Sequence, residues 1–213
     1  KLNRITMDEI TTSSPAFAKP PVVRSDSTKA HSIVGASRNN GERVENDFYP
    51  TPTFAIEDLL KKEKFEGSIY EPACGDGAIS KVLKLHYADV YSTDIIDRGY
   101  GEGIKDFLFF NDSKFDNVIT NPPYNKALEF VLQAKMVANK KIAFLLKLHF
   151  LESVGRYDMF QDKVFPLRSV HVFSKRITIN KDGRKATGGG MIPYAWYVWD
   201  KGYVGKPTIE WIR

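Results

Sequence analysis

The 213-residue chain is 42% hydrophobic and 27% charged, enough for one globular body and too little for a second full domain beside it. Its single cysteine, Cys74, excludes an internal disulfide, its four scattered histidines lack zinc spacing, and no apolar run reaches the roughly 18 residues of a membrane span. The net charge of +5 is uneven, with +7 over residues 163–213, +1 over 1–47 and −3 between them, a distribution that suits a polyanionic partner on one side.

Residues 1–47 carry Thr-Thr-Ser-Ser14, Lys-Pro-Pro21 and Gly-Ala-Ser-Arg-Asn-Asn-Gly41 without periodicity, which predicts an irregular N-terminal arm ahead of a body over 48–213. The polar start Lys1-Leu-Asn-Arg4 lacks a signal-peptide pattern. Thr53 is expected to cap a helix with Phe54, Ala55, Leu59 and Leu60 on its apolar face. A strand follows at Ser68–Tyr70, then a turn at Gly75 and Gly77, a helix over 78–85, and a second strand over 89–93 ending at Asp94. Further on, the pattern predicts a short helix near 104–109 and a buried strand at Phe115–Thr120. The next helix spans Ala127–Ala138, with Leu128, Val131, Leu132 and Met136 on one face. Ile142–Leu146 reads as a buried strand and roughly 151–161 as another helix. Val170–Phe173 and Tyr194–Val198 read as a late antiparallel edge hairpin. A loop over 174–193, containing Gly188-Gly-Gly190, joins them and is the one insertion placed to contact a substrate. Strands alternating with helices imply a mostly parallel sheet covered on both faces.

Two segments carry chemistry. Ligands in such sheets lie beyond the carboxyl ends of the strands, where Glu71-Pro-Ala-Cys-Gly-Asp-Gly77 falls. Gly75 and Gly77 permit a sharp turn and a close backbone approach. Asp76 within the turn disfavours a diphosphate and favours a cation, or else caps the following helix. Asp94, seventeen residues past Gly77, suits the hydroxyls of a ribose, with Asp97 as its competitor. The second segment, Asn121-Pro-Pro-Tyr124, ends the strand at Thr120. The side-chain oxygen of Asn121 and the carbonyl of Pro122 are acceptors for a primary amine, and Pro122 and Pro123 stiffen the loop that presents them. Positioning suffices for such a reaction, so no catalytic histidine is expected. Tyr124 offers a flat ring on which an extrahelical base can stack, with Phe173 or Phe165 for its other face.

Together these segments resemble the S-adenosylmethionine-dependent methyltransferases that modify exocyclic amines, above all the N6-adenine DNA methyltransferases. The resemblance covers residues 48 to about 205 and implies the seven-stranded Rossmann-like methyltransferase fold, α/β and mostly parallel with a C-terminal antiparallel hairpin. It implies S-adenosylmethionine held by Tyr49, Thr51, Glu71, Ala73, Gly75, Asp94, Ile95, Asp106, Phe107 and Asn121. It implies catalysis by Asn121, Pro122, Pro123 and Tyr124, and a nucleic acid, DNA before RNA, held by Tyr124, Phe173, Lys175, Arg176 and Lys181.

Arg168, Lys175, Arg176, Lys181, Arg184 and Lys185 face Asp182 as the one acid in their stretch, and Phe173, Tyr194, Trp196, Tyr197 and Trp199 interleave aromatics. That combination suits phosphates and a base pocket, with one of the two late tryptophans expected in the core. The chain departs from the large DNA enzymes in carrying no separate recognition domain and resembles compact phage or prophage enzymes, with an accessory protein or a homodimer as the other source of selectivity. The setting so implied is the cytoplasm of a bacterial or phage-infected cell. Adenine in RNA, a protein glutamine amide and an inactive nucleic-acid-binding homologue are the alternatives.

Overall fold

A computed structural model describes residues 49–177 and 192–213. The predicted arm over 1–47, and Lys181, Arg184, Lys185 and Gly188–Gly190 of the predicted loop, lie outside the described residues.

The seven strands are β1 (Ile69–Glu71), β2 (Val90–Ser92), β3 (Phe115–Thr120), β4 (Ala138–Lys147), β5 (Leu167–Phe173), β6 (Tyr194–Asp200) and β7 (Thr208–Ile212). They form one sheet in the order β2-β1-β3-β4-β6-β5-β7. β2, β1, β3 and β4 pair in parallel, β6 runs antiparallel to both β4 and β5, and β7 pairs in parallel with β5. The helices are α1 (Thr53–Lys62), α2 (Ala78–His86), α3 (Ala127–Val137) and the single turn α4 (Tyr157–Phe160).

Side-chain alternation divides the core between the sheet's two faces. Ile142, Phe144 and Leu146 of β4 pack with Tyr197 and Trp199 of β6 and with α3. Ala143 and Leu145 pack on the other face with Trp196, Val198, α1 and α2. Burial on both faces explains why β4 reads as a continuous apolar run. It also places both late tryptophans in the core, each fully buried, where the sequence reading kept one for a base pocket. Trp196 donates its indole N–H to the Ala55 carbonyl at 2.7 Å, tying β6 to α1.

Several expectations need correction. α1 starts at Thr53 behind Pro52, and no side chain caps it. The buried stripe of α3 is Ala127, Phe130, Val131, Ala134 and Val137, while Leu132 and Met136 are 47% and 65% exposed. Both stripes have helical spacing, and the Phe130 ring settles the choice by packing 5.1 Å from Phe107. The predicted short helix shrinks to one 3₁₀ turn at Phe107–Phe109, because Ile104 instead makes a parallel bridge to Asp94. The predicted helix over 151–161 is a 3₁₀ turn at Val154–Arg156 running into α4. There the Arg156 guanidinium donates to the carbonyls of Phe150 at 2.8 Å and His149 at 3.3 Å and so folds the chain back on itself. The late strands β5 and β6 form the antiparallel hairpin expected, but not at the edge of the sheet. β6 lies inside the sheet, and the edge is β7, whose Thr-Ile-Glu-Trp-Ile composition is strand-like and was overlooked.

Candidate active site

The carboxyl ends of β1–β4 open into a cleft of about 710 Å³. The fold places it there because parallel strands carry their connecting loops to one edge of the sheet. Its lining contains all four residues of Asn121–Tyr124 and every residue that the resemblance linked to a cofactor: Tyr49, Thr51, Glu71, Ala73, Gly75, Asp94, Ile95, Asp106 and Phe107.

One half of the cleft is acidic. Gly75 and Gly77 take positive φ of 56° and 82°, which turn the chain between β1 and α2. Asp94 grips that turn, since its Oδ2 accepts from the Gly75 N–H at 2.8 Å and its Oδ1 from the Ile96 N–H at 3.0 Å. Each oxygen keeps a second lone pair, so the carboxylate is pre-positioned with acceptor capacity to spare. Asp97, its competitor, accepts from the Gly99 N–H at 2.8 Å and does not line the cleft. Asp76 accepts from the Ala78 N–H at 3.2 Å, but the N-cap position of α2 is Gly77 and not Asp76. Asp106 accepts from the Leu108 N–H at 3.0 Å, and the Phe107 ring is committed to the core against Tyr70 and Phe130. Glu71 is 1% exposed and accepts a hydrogen bond from the Ser80 hydroxyl, which lies 2.6 Å from the Ser92 hydroxyl. Burial pushes the Glu71 carboxyl up to about 8, and the nearby Asp94 and Asp76 add to the rise.

The other half is built on Asn121. Its Nδ2 donates to the Tyr49 carbonyl at 3.3 Å and to the Thr51 hydroxyl oxygen at 3.1 Å. A backbone carbonyl only accepts, so this contact fixes which end of the amide faces Tyr49. Oδ1 is left buried and, among the described residues, without a hydrogen-bond partner. A buried acceptor left unpaired costs about 1–3 kcal/mol, and a ligand donor arriving there relieves that cost. Tyr124 lies next along the wall, 6.1 Å from the Tyr49 ring and 5.6 Å from the Tyr194 ring. Lys126, Lys147 and His149 bring basic groups to this half.

The predicted substrate residues separate. Phe173 packs edge-on against Phe54 and does not line the cleft, and Phe165 is buried in the core. Lateral position explains this, because β6 lies between β4 and β5 and keeps Phe173 two strands from Lys147. Lys175 and Arg176 are exposed just past β5, on the same edge of the sheet as the cleft but outside its lining. Arg168, counted among the phosphate-gripping residues, instead pairs with Asp200 at 3.0 Å and Glu63 at 3.5 Å near the opposite edge of the sheet. Trp196, Tyr197 and Trp199 are core, and Tyr194 alone of that aromatic run touches the site. Lys147 and His149 were missed, although the rule that located Asp94, the carboxyl end of a buried strand, also points to Lys147.

No protein-family model and no curated protein matches the chain. Solved structures do. A protein from Pyrococcus horikoshii proposed to be an RNA methyltransferase is 19% identical with a TM-score of 0.58, over 76% of this chain and 91% of that one. A protein from Listeria monocytogenes proposed to be a class I S-adenosylmethionine-dependent methyltransferase is 16% identical with a TM-score of 0.55, over 81% and 67%. The M protein of the type I restriction enzyme EcoKI is 15% identical with a TM-score of 0.54, over 72% of this chain and 44% of that protein. At these identities the likeness is one of architecture, and the chain has the Rossmann-like seven-stranded fold of the class I methyltransferases.

Proposed function

We propose that the chain transfers a methyl group from S-adenosylmethionine to the exocyclic N6 amine of adenine in DNA. The observation that carries this reading is Asn121 in the cleft wall, whose buried Oδ1 has no hydrogen-bond partner among the described residues while its amide nitrogen is tied back to Tyr49 and Thr51.

S-adenosylmethionine supplies an electrophilic methyl carbon. The residues present suit it. Asp76, Asp94 and Asp106 outnumber Arg98 and Lys105 in the lining of the acidic half and favour a cationic ligand, and Asp94 has lone pairs for ribose hydroxyls. Ile95, 53% exposed at the cleft, gives an apolar surface for an adenine ring, and Asp106 an acceptor for its amine. Glu71, Ala73, Gly75 and Phe107 line the same half.

An adenine amine is a weak nucleophile because its lone pair is delocalised into the ring. Asn121 Oδ1 and the Pro122 carbonyl accept its two hydrogens, turn the nitrogen toward tetrahedral geometry and stabilise the charge that grows on it. Pro122 and Pro123 hold the loop still, so these acceptors reorganise little during the reaction. Tyr124 stacks on the base and fixes its plane. Lys175 and Arg176, at the cleft's edge of the sheet, grip phosphates beyond it, and Lys181, which lies outside the described residues, is proposed to do the same. This reading places the chain with nucleic acid in the cytoplasm, alone, as a homodimer or with an accessory protein; among the described residues no helix is long and apolar enough to cross a membrane.

The test is transfer of labelled methyl to duplex DNA, single-stranded DNA, RNA and protein, followed by nucleoside analysis. N6-methyladenine in DNA is expected, and Asn121→Ala is expected to lower transfer by about a hundred- to a thousandfold while sparing most cofactor binding. Label on RNA alone would move the substrate to adenine in RNA. Label on a glutamine amide, or no label at all, would overturn the reading.

A further inference from the structure

We infer that Lys147 holds the place of the target base on Tyr124 and passes its ammonium to a phosphate of the substrate strand when the base enters. The inference rests on the reading of Tyr124 as the stacking surface.

In the structure Lys147 Nζ lies over the Tyr124 ring, 4.8 Å from its centroid, a cation–π contact. A base stacking on that side of the ring and this ammonium cannot occupy the same space. Lys147 is the last residue of β4, half-buried in the cleft wall. Its backbone is well held, because its carbonyl accepts from the Tyr197 hydroxyl at 3.2 Å. The side chain is not. Of the lysines lining the cleft, Lys105 pairs with Asp112 and Lys126 lies 3.8 Å from Glu129. Lys147 Nζ has neither a hydrogen bond nor a carboxylate partner among the described residues; the aromatic ring is its recorded partner.

Such a contact is weak enough to exchange for a charge-assisted bond to phosphate. A four-carbon stem lets the ammonium swing off the ring without moving the strand. Phosphate is the acceptor that an entering nucleotide brings and a glutamine side chain does not. Lys147 therefore biases the cleft toward nucleic acid among substrates that present a primary amide or amine. Its exchange also keeps the ring covered until a base arrives.

The experiment compares the wild-type chain, Lys147→Met and Lys147→Arg. It uses a fluorescein-labelled, adenine-containing oligonucleotide, duplex and single-stranded, with anisotropy read between 50 and 200 mM salt and transfer kinetics on the same strands. For Lys147→Met the slope of log Kd against log salt should become shallower by about 0.9 on duplex or 0.7 on single strands, with KM for the strand raised and S-adenosylmethionine affinity unchanged. Lys147→Arg should restore the slope, which a merely structural defect would not. An unchanged slope in Lys147→Met, alongside normal wild-type transfer, would overturn the phosphate exchange and leave the methyltransferase reading standing. Absence of wild-type transfer to any nucleic acid would instead remove the reading beneath it and the inference with it.

Discussion

Thr51 orients Asn121: its hydroxyl oxygen lies 3.1 Å from the Asn121 Nδ2, and that bond, with the one to the Tyr49 carbonyl, leaves Oδ1 as the end of the amide without a hydrogen-bond partner among the described residues. A segment before the first helix thus positions the end of a strand some seventy residues later. Thr51→Val keeps the shape and removes the acceptor. One neutral hydrogen bond is worth about 1 kcal/mol, so single-turnover methyl transfer should fall roughly 5- to 10-fold with cofactor affinity little changed. An unaltered rate would show that Tyr49 alone suffices to hold the amide.

Glu71 makes stability depend on pH near neutrality. Burial raises its carboxyl from the ordinary 4.5 to about 8, so between those values the folded chain keeps a proton that the unfolded chain has lost. Its contribution is complete below about pH 4.5 and is lost as pH rises through 8. Glu71→Gln, neutral throughout, should therefore gain on the wild type as pH is raised from 5 to 8.5, measured by urea denaturation. A constant difference over that range would show that Glu71 ionises normally.

Glu63 works in the opposite sense. It sits 4% exposed at the end of α1 and receives Lys141 at 3.0 Å, His171 Nε2 at 3.0 Å and the Ser169 hydroxyl at 3.2 Å. Burial alone would raise its carboxyl, but His171, Lys141 and Arg168 outweigh it and hold it down at about 2. Its contribution is present above about pH 4.5 and is lost as pH falls toward 2. Glu63→Ala removes the carboxylate from part-buried Lys141 and the acceptor from Ser169 and His171, and should cost about 3–5 kcal/mol at pH 7. The gap to wild type in chemical denaturation should narrow at pH 3, and a gap independent of pH would assign the loss to packing.

Gly77 is required twice over. Its φ is +82°, and an added Cβ would lie 2.6 Å from the Tyr100 ring. Gly77→Ala should destabilise by about 1–3 kcal/mol and weaken S-adenosylmethionine binding, because the turn that Asp94 grips would shift. Adding Tyr100→Ala should recover the steric part and leave the conformational part, which a double-mutant cycle separates. Full recovery would mean that φ imposes no penalty here.

The local signals were legible in the residues. The run Phe115–Thr120 is a strand with those bounds, and the glycine turn and Asn121–Tyr124 follow strand ends as their composition predicts. Patterns of this kind depend on neighbours in sequence, where periodicity and turn chemistry act directly. α3 shows where that stops. Two apolar stripes share its surface, and only the position of Phe107 tells which is buried.

Lateral order in the sheet depends on pairings between residues as far apart in sequence as Lys141 and Asp200, and no local pattern encodes it. Inserting β6 between β4 and β5 took Trp196 and Trp199 into the core and left Phe173 outside the cleft lining. A count of positive charges is likewise blind to partners. It grouped Arg168 with the phosphate-facing residues, while the fold spent that charge on Glu63 and Asp200 and brought an uncounted lysine, Lys147, to the ring of Tyr124. Residue order thus settled which chemical groups meet the cleft through their own strand ends, because that placement follows from each strand's direction. Which side chains reach it from elsewhere was decided by long-range packing, because burial and ion pairing choose among groups that look alike along the chain.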